Sequence, residues 1–424
     1  MFPIYYGRLQ FLEIFTLYKN FYIVFFLNLN RFDPILIGDF DKGNFIFHYA
    51  DLNKVVIMKI KLGKYRHYKG KVYESIGIAR DSETFKDLKY FGIYAKRAYY
   101  FQRGYFWLAG KIVRTKIMQK LGFARFEKLF LSMSHECNAN CVHCYEKFAC
   151  KKEGVSLKTE KAKSLIDEFE KMGGCIVYFC AGEFLMRKDC FELINYTRSK
   201  GLAAIVITNG LLLSEERVVA LKNAGLTMLI VSLDSPVAAE HDRLRGVKGC
   251  FEKAINGLKF AQKHKILTQI WTYTTKSHEN DLNGLAKIGR DVGVQLVFVY
   301  FTLLSGKLFD KPEENLSEKD KAVLRKKFNH VFPISLQFPT KNWACHGMGK
   351  EHINVMPSGE VTFCPPVPYS YGNVHERSLK SIYLDLVRDA KRFYHLRGQC
   401  PVNFQEYREK CNAKFIYGDK DNVK

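Results

Sequence analysis

The chain has 424 residues, of which 47% are hydrophobic and 26% are charged, and this balance excludes an intrinsically disordered protein. At about 150 residues per domain the length predicts two or three domains, with a core large enough to need no disulfides. The formal charge of +23, from 66 Lys and Arg against 43 Asp and Glu, is compatible with an acidic partner.

The first ten residues lack a cationic stretch followed by an apolar run and a small-residue cleavage site, so no secretory signal is expected there. The longest apolar run nearby, residues 21–27 (FYIVFFL), is far shorter than the roughly 20 residues that span a bilayer. We therefore expect a cytoplasmic protein without a transmembrane helix. In a reducing compartment its 12 cysteines bind metal more readily than they pair.

Residues 1–125 are predicted to form a basic, aromatic-rich α+β domain of unassigned role. Between Lys54 and Lys128 there are 19 Lys and Arg against 5 Asp and Glu. Residues 53–78 alternate apolar and charged side chains around Gly63 and Gly70, which is typical of half-buried antiparallel strands. A basic face of this kind suits nucleic acid, an anionic membrane surface or an acidic substrate, and it is equally compatible with plain solvation.

Residues 126–330 alternate short apolar runs with amphipathic segments, as strands and helices in turn. The six strands are predicted at residues 129–134, 175–180, 203–209, 228–234, 268–275 and 295–302. The five helices between them are predicted at residues 158–172, 189–200, 214–224, 251–264 and 281–292. Strands that are apolar on both faces indicate a parallel sheet covered by helices. The predicted fold is therefore α/β, a partial TIM-like (β/α)6 barrel with functional groups at the C-terminal ends of its strands.

Residues 331–424 are predicted to form a small cysteine-rich C-terminal domain, reached through a charged helix at residues 317–332. Residues 353–364 (INVMPSGEVTFC) predict a hairpin that turns at residues 357–359. A further helix is predicted from Ser378 to about Leu396.

The segment SHECNANCVHCYEKF places Cys137, Cys141 and Cys144 at C-x3-C-x2-C spacing, directly after the first predicted barrel strand. Structural zinc prefers four protein ligands in a closed tetrahedron, and His143 between two of the cysteines is poorly placed as the fourth. An iron–sulfur cluster fits better, because three cysteines would leave one iron open to a substrate or cofactor. Taken by itself, the spacing still leaves a structural zinc loop as an alternative.

With this loop and the segments that follow it, residues 126–302 resemble the radical S-adenosylmethionine (radical SAM) enzymes. The resemblance implies a [4Fe–4S] cluster that binds S-adenosylmethionine (SAM), with Tyr145 beside the adenine. Residues 180–184 (CAGEF) match the family's Gly-Gly-Glu-Pro segment at Gly182 and Glu183, and depart from it at Ala181 and Phe184. By resemblance, this segment binds the methionine amino group of SAM through the Glu183 carboxylate.

Three further segments, Thr208-Asn209-Gly210, Ser232-Leu233-Asp234 and residues 241–246 (HDRLRG), resemble the family's TNG, SLD and hDxxRG segments. The resemblance implies that Thr208, Asn209 and Ser232 border the cofactor. Ser232 would bind its ribose or carboxylate, and Arg243 or Arg245 would pair with that carboxylate. The residues alone also allow a surface ion pair for either arginine and a strand-ending turn at Asn209.

In the C-terminal region Cys345, Gly359 and Cys364 are separated by thirteen and then four residues, which resembles the SPASM and Twitch extensions of radical SAM proteins. The resemblance implies one auxiliary [4Fe–4S] cluster. Cys345, Cys364 and Cys400 are its best-matching ligands. The alternatives for the fourth ligand are Cys411, His346 or an open iron.

The resemblance implies reductive cleavage of SAM to a 5′-deoxyadenosyl radical, which abstracts hydrogen from an unactivated C–H bond in peptide, protein or cofactor maturation. It also implies an electron donor such as ferredoxin or flavodoxin. One alternative substrate is a membrane lipid, with the protein peripheral at the bilayer, because basic and aromatic residues interleave at residues 96–116. A second alternative, a basic iron–sulfur or zinc protein that binds RNA without chemistry, is not favoured because it leaves Glu183 and Ser232 without a role.

Overall fold

The computed structural model describes residues 126–146, 155–276, 281–309, 311–328, 331–337, 352–367, 369–390 and 400. It also describes residues 108, 111, 112 and 115, and five backbone strands before residue 62. The chain divides into two compact units, Met1–Phe91 and Gly92–Lys424.

The first unit contains two small antiparallel sheets. Strands β1 (Ile14–Leu17) and β2 (Asn20–Ile23) form a hairpin. Strands β3 (Ile35–Asp39), β4 (Asn44–Asp51) and β5 (Lys54–Lys61) form a three-stranded sheet in that order. The antiparallel strand predicted from Lys54 onwards is confirmed, and the segments around Gly63 and Gly70 lie outside the described residues.

The second unit is built on parallel strands that neighbour one another in chain order. They are β6 (Lys128–Ser132), β7 (Ile176–Cys180), β8 (Ala203–Thr208), β9 (Met228–Ser232), β10 (Leu267–Thr274) and β11 (Leu296–Phe301). All six predicted strands are present, each with ends within two residues of the prediction. The α/β fold with a parallel sheet is confirmed.

Helices connect these strands. They are α1 (Thr159–Lys171), α2 (Cys190–Ser199), α3 (Glu215–Asn223), α4 (Ala238–Arg245), α5 (Cys250–Lys263) and α6 (Leu282–Val292). Five match the predicted helices within one residue at each end, because their boundaries carry local signals such as the Ser214 side chain that accepts from the Arg217 N–H. Helix α4 was not predicted, and it spans most of the HDRLRG segment.

Two further strands from the C-terminal part of the chain extend the sheet at its edges. Strand β12 (Ile334–Leu336) pairs with β11, and β13 (His352–Val355) pairs in parallel with β6. Strand β14 (Val361–Thr362) then pairs antiparallel with β13, which confirms the predicted hairpin. Helix α7 (Glu318–Phe328) ends earlier than predicted, and α8 (Leu379–Ala390) begins one residue after Ser378.

Alternate residues along the strands enter two separate apolar clusters, one on each face of the sheet. Leu129, Val177 and Val206 belong to the larger cluster, which includes the buried faces of the helices. Ile205 and Ile230 belong to the smaller cluster, into which Leu108 also packs. Burial of each aliphatic or aromatic side chain contributes about 1.5 to 3 kcal/mol to the free energy of unfolding. The larger cluster, between the sheet and the helices, therefore supplies much of the stability of this unit.

The sheet curves strongly around its smaller cluster. The rings of Tyr178 on β7 and Trp271 on β10 have centroids 6.3 Å apart, although β8 and β9 lie between their strands. In a flat sheet three strand spacings would separate them by roughly 14 Å. The inner faces therefore approach one another as in a partial barrel, the geometry that the alternation of strands and helices predicts.

Leu108, Lys111 and Thr115 contact the N-terminal end of the barrel. The Lys111 ammonium donates to the Gly201 carbonyl at 2.8 Å, and the Thr115 hydroxyl donates to the Gly173 carbonyl at 3.0 Å. Leu108 is 1% exposed within the inner cluster. This end of the barrel is therefore covered, and the opposite, C-terminal end carries the candidate site.

Candidate functional site

The cysteine loop follows β6 and is held by backbone hydrogen bonds to two other segments. The Asn140 and Val142 N–H groups donate to the carbonyls of Arg245 and Leu244 at 3.0 and 2.9 Å. The Lys307 N–H donates to the Cys144 carbonyl at 3.0 Å. The last turn of α4 and the short 3-10 helix Gly306–Leu308 thus fix the loop that carries the predicted cluster ligands.

Two polar side chains reach the thiols of this loop. The Arg245 Nη1 donates to the Cys141 Sγ at 3.6 Å, and the Asn209 Nδ2 lies 3.8 Å from the Cys137 Sγ. Burial raises the pKa of the Cys137 thiol, and the Ala139 backbone and Asn209 partly oppose that rise. A donor set of three thiols beside a guanidinium and an amide fits a thiolate-ligated iron–sulfur cluster.

The three thiols of the loop do not converge on a common point in the structure. Among the described residues, no set of three His, Cys, Asp or Glu side chains is arranged around a common point as metal ligands. The structure therefore brings Cys137, Cys141 and Cys144 to one anchored loop, and their joint ligation of a cluster stays a prediction. None of the nine described cysteines is in a disulfide.

Glycines allow the loop and its neighbours to pack backbone against backbone. Gly306 has φ +57°, and a Cβ built on it would lie 2.2 Å from the Cys144 carbonyl oxygen. Gly182 has φ +53°, and its Cβ would lie 2.2 Å from the Glu136 carbonyl oxygen. No side chain fits at either position without moving the cysteine loop.

Glu183 is a buried carboxylate at the end of β7, and it joins the loops after β7 and β8. Its Oε1 accepts from the Leu185 N–H at 3.1 Å, and its Oε2 accepts from the Asn209 N–H at 2.8 Å. The side chain is 2% exposed, and burial raises its pKa even though these hydrogen bonds oppose the rise. A surface role is excluded, and because the Thr208 hydroxyl is a third hydrogen-bond partner, the carboxylate keeps about one of its four acceptor sites for a ligand donor.

The structure shows how the CAGEF segment accommodates its two departures from the family pattern, Ala181 and Phe184. Ala181 has φ +67°, a left-handed conformation that costs a residue with a Cβ roughly 1 to 2 kcal/mol. The loop therefore keeps a shape that favours Gly, even though Ala occupies the position. The other departure, Phe184, is buried in the core and stacks on Phe179 with centroids 4.5 Å apart.

Thr208 ends β8 and Asn209 follows it, and both contact the Glu183 carboxylate. The Thr208 hydroxyl accepts from the Gly210 N–H at 3.1 Å, and its side chain also contacts Glu183. The Asn209 amide donates to the Asn138 Oδ1 at 2.7 Å, within the cysteine loop. Asn209 is therefore more than a turn residue, because it ties its strand end to that loop.

The two arginines of the HDRLRG segment differ in position. Arg243 is on the surface, where its Nη2 pairs with the Glu240 carboxylate at 2.7 Å. Arg245 is buried, and its Nη2 pairs with the Asp234 carboxylate at 2.7 Å. The structure thus brings Arg245 to the cysteine loop and leaves Arg243 in a surface ion pair.

Asp234 and its neighbours form a buried polar group that sequence reasoning did not single out. The Asp234 N–H donates to the His241 Nδ1 at 3.1 Å, and the His143 Nε2 lies 3.5 Å from the Asp234 Oδ2. The His143 ring also stacks on Tyr273, with centroids 4.9 Å apart. The signal was present in the SLD and HDRLRG segments, but their mutual contact depends on the tertiary fold.

Ser232 and Tyr145 occupy half-buried positions near the mouth of the barrel. Ser232 ends β9 and is in register with Trp271 on β10. Burial raises the pKa of the Tyr145 hydroxyl well above its usual value, with Cys180, Glu146 and Cys144 among the nearby groups. Their contacts with the cofactor stay predictions.

Of the four C-terminal cysteines, Cys364 is half-buried after β14 and Cys400 is 9% exposed, while Cys345 and Cys411 lie outside the described residues. A buried chain of hydrogen bonds ties the Cys364 hairpin to β6. The Ser132 hydroxyl donates to the Asn354 Oδ1 at 2.9 Å, and the Asn354 Nδ2 donates to the Thr362 Oγ1 at 3.0 Å. Because Thr362 in turn donates to the Cys364 carbonyl at 2.9 Å, this cysteine has a fixed place beside the barrel.

Comparison with known families distinguishes the two interpretations of the cysteine loop. Residues 131–282 match the sequence profile of the Radical SAM superfamily. These residues therefore form a radical SAM domain. Members of this superfamily use a [4Fe–4S] cluster with SAM, which favours the iron–sulfur interpretation over the structural zinc loop. A second profile, described as a protein of unknown function (DUF1653), matches residues 63–128.

Curated radical SAM relatives cover different shares of the chain. The AdoMet-dependent heme synthase of Methanosarcina barkeri is 27% identical over 305 residues, 65% of this chain and 87% of the relative. The Fe-coproporphyrin III synthase of that organism is 33% identical over 186 residues, 44% of this chain and 46% of the relative. The antilisterial bacteriocin subtilosin biosynthesis protein AlbA of Bacillus subtilis is 26% identical over 307 residues, 68% of this chain and 67% of the relative. The chain thus spans less than half the length of one of these relatives.

Among solved structures, the chain is similar to Streptococcus suis SuiB bound to S-adenosylmethionine. The TM-score is 0.53 at 14% sequence identity, over 73% of this chain and 79% of that chain. At this identity the similarity supports a shared fold only. It agrees with the partial barrel that the register and curvature of the sheet define.

Proposed function

We propose that this radical SAM enzyme abstracts a hydrogen atom from an unactivated C–H bond of a peptide, a protein or a cofactor precursor. The observation that carries the proposal is the anchored loop with Cys137, Cys141 and Cys144 at the C-terminal mouth of a curved parallel sheet. These residues would hold a [4Fe–4S] cluster. When bound there, the cluster supplies one electron to SAM, whose cleavage yields the 5′-deoxyadenosyl radical.

Residues beside the loop are the proposed contacts for SAM. Glu183 is buried and already oriented by two backbone N–H groups, which supports its proposed role as acceptor for the methionine ammonium. Ser232 and Tyr145, both half-buried near this mouth, are the proposed contacts for the ribose or carboxylate and for the adenine. Arg243 has less support as a carboxylate partner, because it pairs with Glu240 on the surface.

The inner face of the barrel supports a substrate with an apolar or flat reacting group. Phe130 and Tyr178 stack with centroids 4.5 Å apart, and Trp271 and Tyr300 meet edge to face at 5.2 Å. Tyr178, Trp271 and Tyr300 keep partial solvent exposure although they lie on the inner face, so a ligand can reach them. Aromatic walls of this kind also exclude water from the radical.

We further propose one auxiliary [4Fe–4S] cluster, held by Cys345, Cys364 and Cys400, with Cys411 as the fourth ligand. The fixed hairpin that carries Cys364 supports this role, because an auxiliary cluster needs a defined position relative to the barrel. Closed ligation would allow it to accept the second electron of an oxidation. A small electron carrier such as ferredoxin or flavodoxin is the proposed external donor.

The relatives leave two substrate classes, a tetrapyrrole and a peptide, because some are named for heme synthesis and AlbA is named for bacteriocin biosynthesis. Among the described residues, no helix is both long and apolar enough to cross a membrane. Action on a membrane lipid stays an alternative, and the basic residues 96–116 that suggested it lie mostly outside the described part of the chain.

The substrate class is tested by hydrogen transfer. Reduced enzyme is incubated with SAM and either a deuterated iron coproporphyrin or a deuterated apolar peptide, and deuterium in 5′-deoxyadenosine is measured by mass spectrometry. Transfer from either substrate identifies its class. No transfer from either, while transfer occurs from a lipid in anionic vesicles, would replace this proposal with the membrane alternative.

The Glu183 assignment is tested by SAM affinity. Glu183→Ala removes a charged hydrogen-bond acceptor worth about 1.5 to 3 kcal/mol, so SAM should bind roughly 10 to 150 times more weakly. Glu192→Ala, a carboxylate on the outer helix α2 that pairs with Lys163, is the matched control. Equal affinity in the two variants would place the amino-group site elsewhere.

A further inference from the structure

Arg245 has an unusual combination of burial and contacts. Its side chain is buried at the end of α4, and the residue is 8% exposed. The Nη1 donates to the Cys141 Sγ at 3.6 Å, while the Nη2 pairs with the Asp234 Oδ2 at 2.7 Å. The two terminal nitrogens of the guanidinium therefore face one cluster cysteine and one carboxylate of the protein.

The surrounding residues hold this guanidinium in place. Asp234 is 1% exposed, and its backbone N–H donates to the His241 Nδ1 at 3.1 Å. The Arg245 carbonyl accepts from the Asn140 N–H of the cysteine loop at 3.0 Å. Burial lowers the pKa of Arg245, but the Asp234 and Cys141 charges more than offset it and keep the side chain cationic.

We propose that Arg245 is a positioning residue that donates to the Cys141 thiolate and sets the reduction potential of the SAM-binding cluster, with Asp234 as its orienting partner. This assignment rests on the proposed function, because it requires the cluster. It differs from the role that the family resemblance implied, in which Arg245 pairs with the SAM carboxylate.

The physical basis is electrostatic. A hydrogen bond to a ligand sulfur, from a cationic donor, stabilises negative charge on the cluster. The reduced cluster carries one more negative charge than the oxidised cluster, so the donor favours reduction. Loss of the donor should therefore make the midpoint potential more negative. Outer-shell partners of metal ligands commonly act in this way.

The test measures the midpoint potential without SAM, by redox titration followed by electron paramagnetic resonance. The signal of this cluster is identified by its loss when Cys137, Cys141 and Cys144 are all changed to Ala. The main variant combines Arg245→Gln with Asp234→Asn, so that no unpaired charge remains buried. Arg243→Gln, two residues away on the same helix but in a surface ion pair, is the matched control.

We expect the double variant to show a more negative SAM-free potential and the Arg243→Gln variant to match the wild type. If the double variant does not load iron, Arg245→Gln alone replaces it, and loss of the cationic donor should still shift the potential in the same direction. An unchanged potential in an iron-loaded variant overturns the assignment. If SAM affinity then falls tenfold or more, Arg245 is a carboxylate partner instead.

Failure of the proposed function gives a different result. Wild-type protein that takes up no iron would overturn the proposed cluster and this assignment together. Iron-loaded protein with an unchanged potential in the variant overturns the assignment alone.

Discussion

Substitution of Gly306 should remove the cluster through the backbone of the cysteine loop. Gly306 is buried with φ +57°, beside the residue whose N–H donates to the Cys144 carbonyl. In Gly306→Ala the new Cβ would lie 2.2 Å from the Cys144 carbonyl oxygen and 2.3 Å from the Tyr145 Cα. Ordinary van der Waals contacts between such atoms are longer by about 1 Å, and both neighbours are backbone atoms. The Cys144 end of the loop must therefore move.

The chain offers a matched control for the backbone strain of this change. Gly249 has φ +79°, and a Cβ built on it meets no atom within 4 Å. Gly249→Ala should lose only the roughly 1 to 2 kcal/mol of a left-handed alanine. Gly306→Ala should lose that amount and also displace Cys144.

The assay measures iron per chain and cluster absorbance after anaerobic reconstitution, together with thermal unfolding. We expect Gly249→Ala to bind iron like the wild type with a slightly lower Tm. Gly306→Ala should lose about half of the iron, because only the proposed auxiliary cluster would remain. Equal iron content and equal SAM cleavage in the two variants would refute the reasoning that Cys144 must hold its present position.

Three further changes test other parts of the structure. Ala181→Gly should raise the free energy of unfolding by up to about 1 kcal/mol, because Ala181 has φ +67°; a decrease would show that the Ala181 methyl group stabilises the loop. Asn354→Leu should lower the free energy of unfolding by about 2 to 5 kcal/mol, because the buried hydroxyls of Ser132 and Thr362 lose their hydrogen-bond partner. Denaturant unfolding measures the change, and Asn223→Leu at an exposed position is the control. Burial and the nearby Arg245 lower the pKa of His241 from 6.5 to about 4, so the unfolded chain binds this proton more tightly. Neutral His241 therefore contributes to the free energy of unfolding fully above pH 6.5, and this contribution, about 3 kcal/mol in all, is lost as the pH falls to about 4. A His241→Gln variant whose stability has the same pH dependence as that of the wild type would contradict this prediction.

The alternation of strands and helices was predictable because each element carries its own apolar period and end signals. Helix α4 was missed because Glu240 and Arg243 place charges on it, so no clear apolar stripe marks the segment. Its position is set instead by hydrogen bonds from Asn140 and Val142, which are tertiary contacts.

The edges of the sheet show the same limit. The hairpin of β13 and β14 was predicted from its alternation and its turn, but its pairing with β6 was not. That choice of partner depends on the buried contact between Ser132 and Asn354, which are 222 residues apart in sequence. The candidate site divides similarly, because the motif spacing identified the cysteines and Glu183, whereas the contact of Arg245 with Cys141 required the fold.

The central claim is that the loop of Cys137, Cys141 and Cys144 supports radical cleavage of SAM. The most direct test incubates dithionite-reduced, iron-loaded protein with SAM under anaerobic conditions and measures 5′-deoxyadenosine and methionine. Both should form with the wild type and with Cys175→Ala, a buried thiol at the opposite end of the barrel. Neither should form when the three loop cysteines are changed to Ala. Stoichiometric zinc without cluster absorbance in the wild type, or undiminished cleavage in the triple variant, would contradict the claim.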